Sequence, residues 1–139
     1  MTLPRSDDVT EYLSVFSKPI IDNCFEHLVK IKLLEEEWAN RNNFEKDLKN
    51  LDYNFIIFNG HGSPNTICGH KNEKIIELGL NESLLNGRIT YARSCWSVLG
   101  IGKTIKEGCF IGYKIPFMFL FDKTHIANPI KDNTAKIFF

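Results

Sequence analysis

Two short stretches contain side chains that could break and make covalent bonds. In Phe58-Asn59-Gly60-His61-Gly62-Ser63 a histidine stands between two glycines, directly after an apolar run. The glycines leave the imidazole unblocked and the backbone free to turn, and histidine is the side chain whose proton affinity suits acid–base work near neutral pH. In Tyr91-Ala92-Arg93-Ser94-Cys95-Trp96-Ser97 a thiol follows a second apolar run and precedes a helix start. A thiol near helical N–H groups with an imidazole in reach is stabilised as thiolate, the nucleophilic form. The amides of Gly62 and Cys95 could together cradle an oxyanion.

These stretches need elements to position them. Phe55-Ile56-Ile57-Phe58 and Ile89-Thr90-Tyr91-Ala92 read as buried parallel strands. Both chemical residues sit just past strand ends, at the edge where α/β sheets receive ligands. A clipped first strand is expected over Thr2–Arg5 and a helix from Val9, capped by Ser6, Asp7 or Asp8 and broken near Pro19. Leu28–Leu34 alternates as a half-buried strand, and Asn40–Asn43 begins a helix with Phe44, Leu48 and Leu51 on its stripe. A hairpin over Thr66–Gly69 and Lys74–Leu78, a helical turn at Glu82–Leu85, a helix over Val98–Lys106 and a strand over Cys109–Tyr113 complete the pattern. Strands alternate with helices, which predicts an α/β domain with a mostly parallel sheet.

The pattern of apolar strand, Gly60-His61-Gly62, hairpin and a second strand ending in Ser94-Cys95 resembles the caspase-like cysteine peptidases. Val98-Leu99-Gly100 and Cys109-Phe110-Ile111-Gly112-Tyr113 look most like the prokaryotic CHAT-type members. The resemblance runs from about residue 54 to 121. It implies a three-layer sandwich around the sheet, one domain over residues 1–139 with its core at 54–121, and a C-terminal end cut short relative to the family. It maps the catalytic histidine onto His61 and the nucleophile onto Cys95, and implies peptide hydrolysis through an acyl-thioester with no metal or other cofactor. In the family the residue two before the nucleophile faces the substrate pocket. Here that is Arg93, which would favour an acidic side chain, with Arg5 as a second contributor and Trp96 shaping the cleft. The open alternative is that Arg93 pairs internally with Asp7 or Asp8.

Composition narrows the partners. Seventeen basic residues balance seventeen acidic ones, so no long-range field recruits nucleic acid or anionic membrane. No apolar run approaches the roughly eighteen residues of a membrane span. The polar, acidic opening Met1–Asp8 and the four scattered cysteines (Cys24, Cys68, Cys95, Cys109) point to a reduced, cytoplasmic protein. Cys68-Gly69-His70 falls short of a zinc site. Phe117, Phe119 and Phe121 alternate as on a strand and are expected to face a further part of the protein or a second copy.

Overall fold

The computed structural model describes residues 1–138. Strand β1 (Thr2–Leu3) leads into helix α1 (Asp8–Val15), which opens on a reciprocal cap: the Asp7 carboxylate accepts from the Thr10 amide, and the Thr10 hydroxyl accepts from the Asp7 amide. Helix α2 (Lys18–Glu26) follows with Pro19 in its first turn, where a missing N–H is harmless. The Pro19 break therefore falls between two helices. Strand β2 (Leu34–Glu35) pairs with β1 in parallel, and helix α3 (Arg41–Asn50) is capped by the Asn40 side chain.

Strand β3 (Phe55–Asn59) belongs to the larger sheet. A small antiparallel sheet follows, made of β4 (Gly62–Ser63), β5 (Thr66–Cys68) and β6 (Lys74–Glu77). Strand β7 (Ile89–Arg93), helix α4 (Ile101–Thr104) and strand β8 (Cys109–Ile111) complete the ladder. The larger sheet is wholly parallel in the order β3-β7-β8, with Phe55 opposite Ile89 and Asn59 opposite Arg93. The chain is thus a mixed α/β structure built on a parallel sheet.

Strand alternation divides this sheet into two faces. Ile56, Phe58 and Ala92 enter an apolar core with Phe44 and Leu48 of α3 and Ile67, Ile75 and Ile76 of the small sheet. The Phe44 and Phe58 rings lie 5.1 Å apart. The other face carries Ile57, Asn59 and Arg93, buried toward α1, and then Phe55 and Ile89, which are about half exposed.

Three expectations are corrected. The strand expected at Leu28–Leu34 shrinks to Leu34–Glu35. Leu28 has a positive φ of 55° and is 93 % exposed, so the alternation found no second layer to bury against. The helix expected at Val98–Lys106 is only Ile101–Thr104, because the Trp96 and Val98 amides bond to the carbonyls of Ile115 and Tyr113 and hold residues 94–100 in turns. The Phe117–Phe121 alternation is real, but its aromatic side chains pack within the chain. Tyr12 lies 5.8 Å from Phe119 and 4.9 Å from Phe121, and Tyr113 lies 4.7 Å from Phe117.

The last described segment is fastened to α1 by Asp132. This fully buried carboxylate accepts from the Tyr12 hydroxyl and from the Asp122 and Ala135 amides. Burial alone would raise its pKa, but these donors outweigh burial and hold it below the usual carboxylate range. Burial, reinforced by Asp132, pushes the Tyr12 hydroxyl up to about 12.

The two-faced strand makes a direct prediction. Phe58→Ala should cost about 3–5 kcal/mol, as large-to-small changes in a packed core do. Phe55→Ala, three residues away on the half-open face, should cost well under half of that. Urea denaturation of the two variants measures the contrast, and equal losses would mean that the faces are assigned wrongly.

Candidate active site

His61 lies two residues past the end of β3 and Cys95 two past the end of β7. Since the strands are adjacent and in register at Asn59 and Arg93, the two loops leave the same sheet edge side by side. They are also bonded together. The Ser94 hydroxyl donates to the His61 carbonyl at 3.0 Å, and the Gly60 amide donates to the Arg93 carbonyl at 3.4 Å. The Cys68 amide donates to the same His61 carbonyl at 2.9 Å, fastening the loop to the small sheet.

Close approach explains both glycines around His61. A Cβ on Gly60 would lie 2.2 Å from the Cys68 carbonyl oxygen, and a Cβ on Gly62 would lie 2.0 Å from the Ser94 hydroxyl. Any side chain at either position would push His61 away from the Cys95 loop.

The structure adds a residue that the sequence reading had not placed in this role. His61 Nε2 lies 2.8 Å from Asp7 Oδ2, while the other oxygen of the same carboxylate caps α1. Burial alone would raise the Asp7 pKa, but the Thr10 and His61 hydrogen bonds outweigh it and hold the carboxyl below its usual range. A carboxylate on Nε2 fixes the ring orientation and favours the proton on that nitrogen, which leaves Nδ1 to act as base. A helix cap and a histidine anchor look alike in sequence; only the fold brings Asp7, fifty-four positions away, to the ring.

Cys95 is partly exposed. Its N–H has no acceptor among the described residues. The Cys68–His61 bond makes that pair the hydrogen-bonded one, so the next cross-strand pair, Gly62 with Ile67, is non-bonded and the Gly62 N–H points away from β5. Both amides proposed for an oxyanion are therefore uncommitted. Trp96 adopts φ 53°, a left-handed conformation that a bulky side chain enters only at a cost of about 1–3 kcal/mol. It is 38 % exposed beside Cys95. Ser97 does not cap α4. Its hydroxyl donates to the Ser94 carbonyl and braces the turn that carries Cys95.

Arg93 is where the sequence-based expectation fails. It is 5 % exposed and points under α1, where its guanidinium donates to the Ser17 hydroxyl and the Leu13 carbonyl. Burial pulls its pKa below the ordinary value, opposed by Tyr91 and Tyr113. The partners weighed from sequence, Asp7 and Asp8, are not the ones it bonds to in these contacts. The reason is register: Arg93 sits opposite the buried Asn59, on the face that α1 covers. Arg5 is exposed, and its guanidinium stands 4.0 Å from the Glu11 carboxylate. Cys68 and His70 are engaged elsewhere: burial pushes the Cys68 thiol up, and His70 Nδ1 lies 2.6 Å from the Pro4 carbonyl.

The chain matches no family model, no curated protein and no solved structure at a significant level.

Asp7→Ser separates the two tasks of that carboxylate. Serine still caps α1 but is too short to reach His61. The native Asp7 carboxyl titrates below its unfolded value of about 3.9, so its contribution is complete above that pH and drains away as pH falls through the folded value. The gap in urea midpoint between wild type and Asp7→Ser should be open at about pH 5 and close below about pH 4. A gap that persists into acid would show that the carboxylate is not its origin.

Proposed function

We propose that this protein is a cysteine endopeptidase of the caspase-like kind, with Cys95 as nucleophile and His61 as general base and then acid. The observation that carries the reading is the His61–Asp7 bond on a loop hydrogen-bonded to the Cys95 loop, since it leaves one imidazole nitrogen for the thiol. His61 Nδ1 takes the thiol proton as Cys95 Sγ attacks the substrate carbonyl carbon. The oxyanion then gathers the Gly62 and Cys95 amides. Collapse breaks the C–N bond, the amine leaves with the proton from His61, and a thioester remains on Cys95. Water, deprotonated by His61, releases the acid and restores the thiol. Thiolate chemistry of this type requires no metal.

On this reading the parallel sheet with α1 on one face and α3 on the other is the core of a caspase-like three-layer sandwich. A cytoplasmic location and a protein or peptide substrate belong to the same proposal. No helix among the described residues is long and apolar enough to cross a membrane. Arg93 supplies no acid-seeking pocket here, because its guanidinium is consumed under α1. Two other readings share the fold: a non-catalytic partner-binding module, and a thiol hydrolase acting on a small-molecule amide or thioester. The uncommitted amides and the anchored histidine favour catalysis over the first.

A fluorogenic peptide library tests the proposal. Wild type should cleave some members, and His61→Ala and Cys95→Ala should each lose about 10²-fold or more. Peptides with Asp before the cut should show no advantage over those with neutral side chains. Turnover of a simple thioester with no peptide cleaved would transfer the site to the small-molecule reading, and a clear Asp preference would contradict the buried role given to Arg93.

A further inference from the structure

An all-parallel sheet normally has both faces covered, and here one face is covered only in part. Helix α1 lies over its carboxyl end, where Asn59 and Arg93 are buried and the Arg93 guanidinium donates to the Leu13 carbonyl. In the middle Tyr91 is half-buried, with its hydroxyl 3.1 Å from that of Tyr113. The amino-terminal end is open. Phe55, Ile89 and Cys109 are register partners across β3, β7 and β8, so their side chains form one row on this face. Phe55 is 54 % exposed, Ile89 is 49 % exposed and Cys109 is exposed as well. Ile111, two residues beyond Cys109 and on the same face, is 50 % exposed.

The row continues past β3. Ile20 and Val29 line the hollow that Phe55 borders, and they are 36 % and 54 % exposed. Together these six side chains leave on the order of 400 Å² of mostly apolar surface open, the scale at which a patch marks an interaction site. That matches the apolar share of one side of a standard protein interface, which buries about 800 Å² per partner, a little over half of it apolar.

Chemistry and shape select the occupant. None of the six side chains carries a charge. The residues leading into the three strands are Asn54, Arg88 and Gly108, and the Arg88 guanidinium is spent on the Tyr53 and Leu84 carbonyls. An anionic lipid surface would call for a basic border. A small ligand would call for a concavity, not a row spanning three strands. An uncharged apolar row complements itself, which is what a two-fold contact requires. Helix α1 then fixes the orientation, because it rises from the same face at the carboxyl end. A second copy stacked with its strands parallel would bring its α1 against the first α1. Turned antiparallel, open half meets open half. The two-fold axis therefore crosses the strands, with Ile89 over Ile89 and Cys109 over Cys109, the sheets about 10 Å apart.

We propose that the protein forms a two-fold dimer through the open amino-terminal half of this sheet face, the two sheets stacked with their strands antiparallel. The contact lies at the end of the strands away from His61 and Cys95 and does not depend on their chemistry.

Sedimentation velocity on the full chain at micromolar concentrations should show the dimer. Ile89→Glu sets two carboxylates against each other across the axis. It should weaken the dimer about 10²-fold or more while far-UV circular dichroism stays native. Leu120→Glu, at an exposed apolar position outside the row, should leave the dimer intact. A short-spacer bismaleimide tests the wild-type chain without any substitution. It should join Cys109 to Cys109 of a second copy, as mapped by mass spectrometry, and the yield should fall to background in Ile89→Glu. A chain that stays monomeric at these concentrations, or a dimer that Ile89→Glu leaves intact, would overturn the interface. A dimer lost in Ile89→Glu but never linked through Cys109 would overturn the antiparallel stacking.

Discussion

Everything around His61 depends on a buried polar knot at the carboxyl end of the parallel sheet. Asn59 is completely buried; its amide donates to the Thr2 hydroxyl, which donates back to its carbonyl, and its side-chain nitrogen donates to the Thr2 carbonyl and the Ser17 hydroxyl. Ser17 in turn accepts from Arg93 on the neighbouring strand. Four residues from β1, the α1–α2 junction, β3 and β7 are therefore fixed to one another in a region with little water. Groups buried this deeply cost about 1–3 kcal/mol each if left unpaired, which makes any other placement of α1 unfavourable. With α1 held, its N-cap stands over the loop that follows β3, and Asp7 meets His61. The His61–Asp7 contact at the rim is a consequence of hydrogen bonding in the interior.

The site also shows how tightly the two loops are confined. Gly60 and Gly62 are needed because carbonyl and hydroxyl oxygens occupy the space a side chain would fill. On the Cys95 side, Trp96 is forced to a positive φ while its amide is bonded to Ile115 and Ser97 braces the turn. Strain of this type persists only where the surroundings over-determine it, and here it falls on the residue next to the thiol.

Much of this was legible in the amino-acid sequence, for identifiable reasons. Asn40 and Asp7 announce their helices because a capping side chain acts locally. The runs ending at Phe58 and Ala92 announce buried strands because both faces must be apolar, and their carboxyl ends place His61 and Cys95 on one edge. What escaped depends on distant partners. Leu28–Leu34 has the alternation of a strand but no layer to receive it. Arg93 reads equally well as a pocket residue or a buried strut until its register with Asn59 is known. Asp7 carries no mark of its bond to His61, since cap and anchor are the same carboxylate. The Phe117–Phe121 stripe was visible, but its target, Tyr12, lies more than a hundred positions earlier.

The central claim is that Asp7 orients His61 to activate Cys95. Its most direct test is the iodoacetamide alkylation rate of each cysteine near pH 6, mapped by mass spectrometry in wild type, His61→Ala and Asp7→Ser. Cys24, Cys68 and Cys109 serve as internal standards. The account predicts that Cys95 reacts far faster than the other three in wild type and slows to their level in His61→Ala. In Asp7→Ser it should slow by about tenfold to a hundredfold, the scale of a misplaced catalytic group. A Cys95 no faster than exposed Cys109 in wild type, or equally fast in all three proteins, would contradict it.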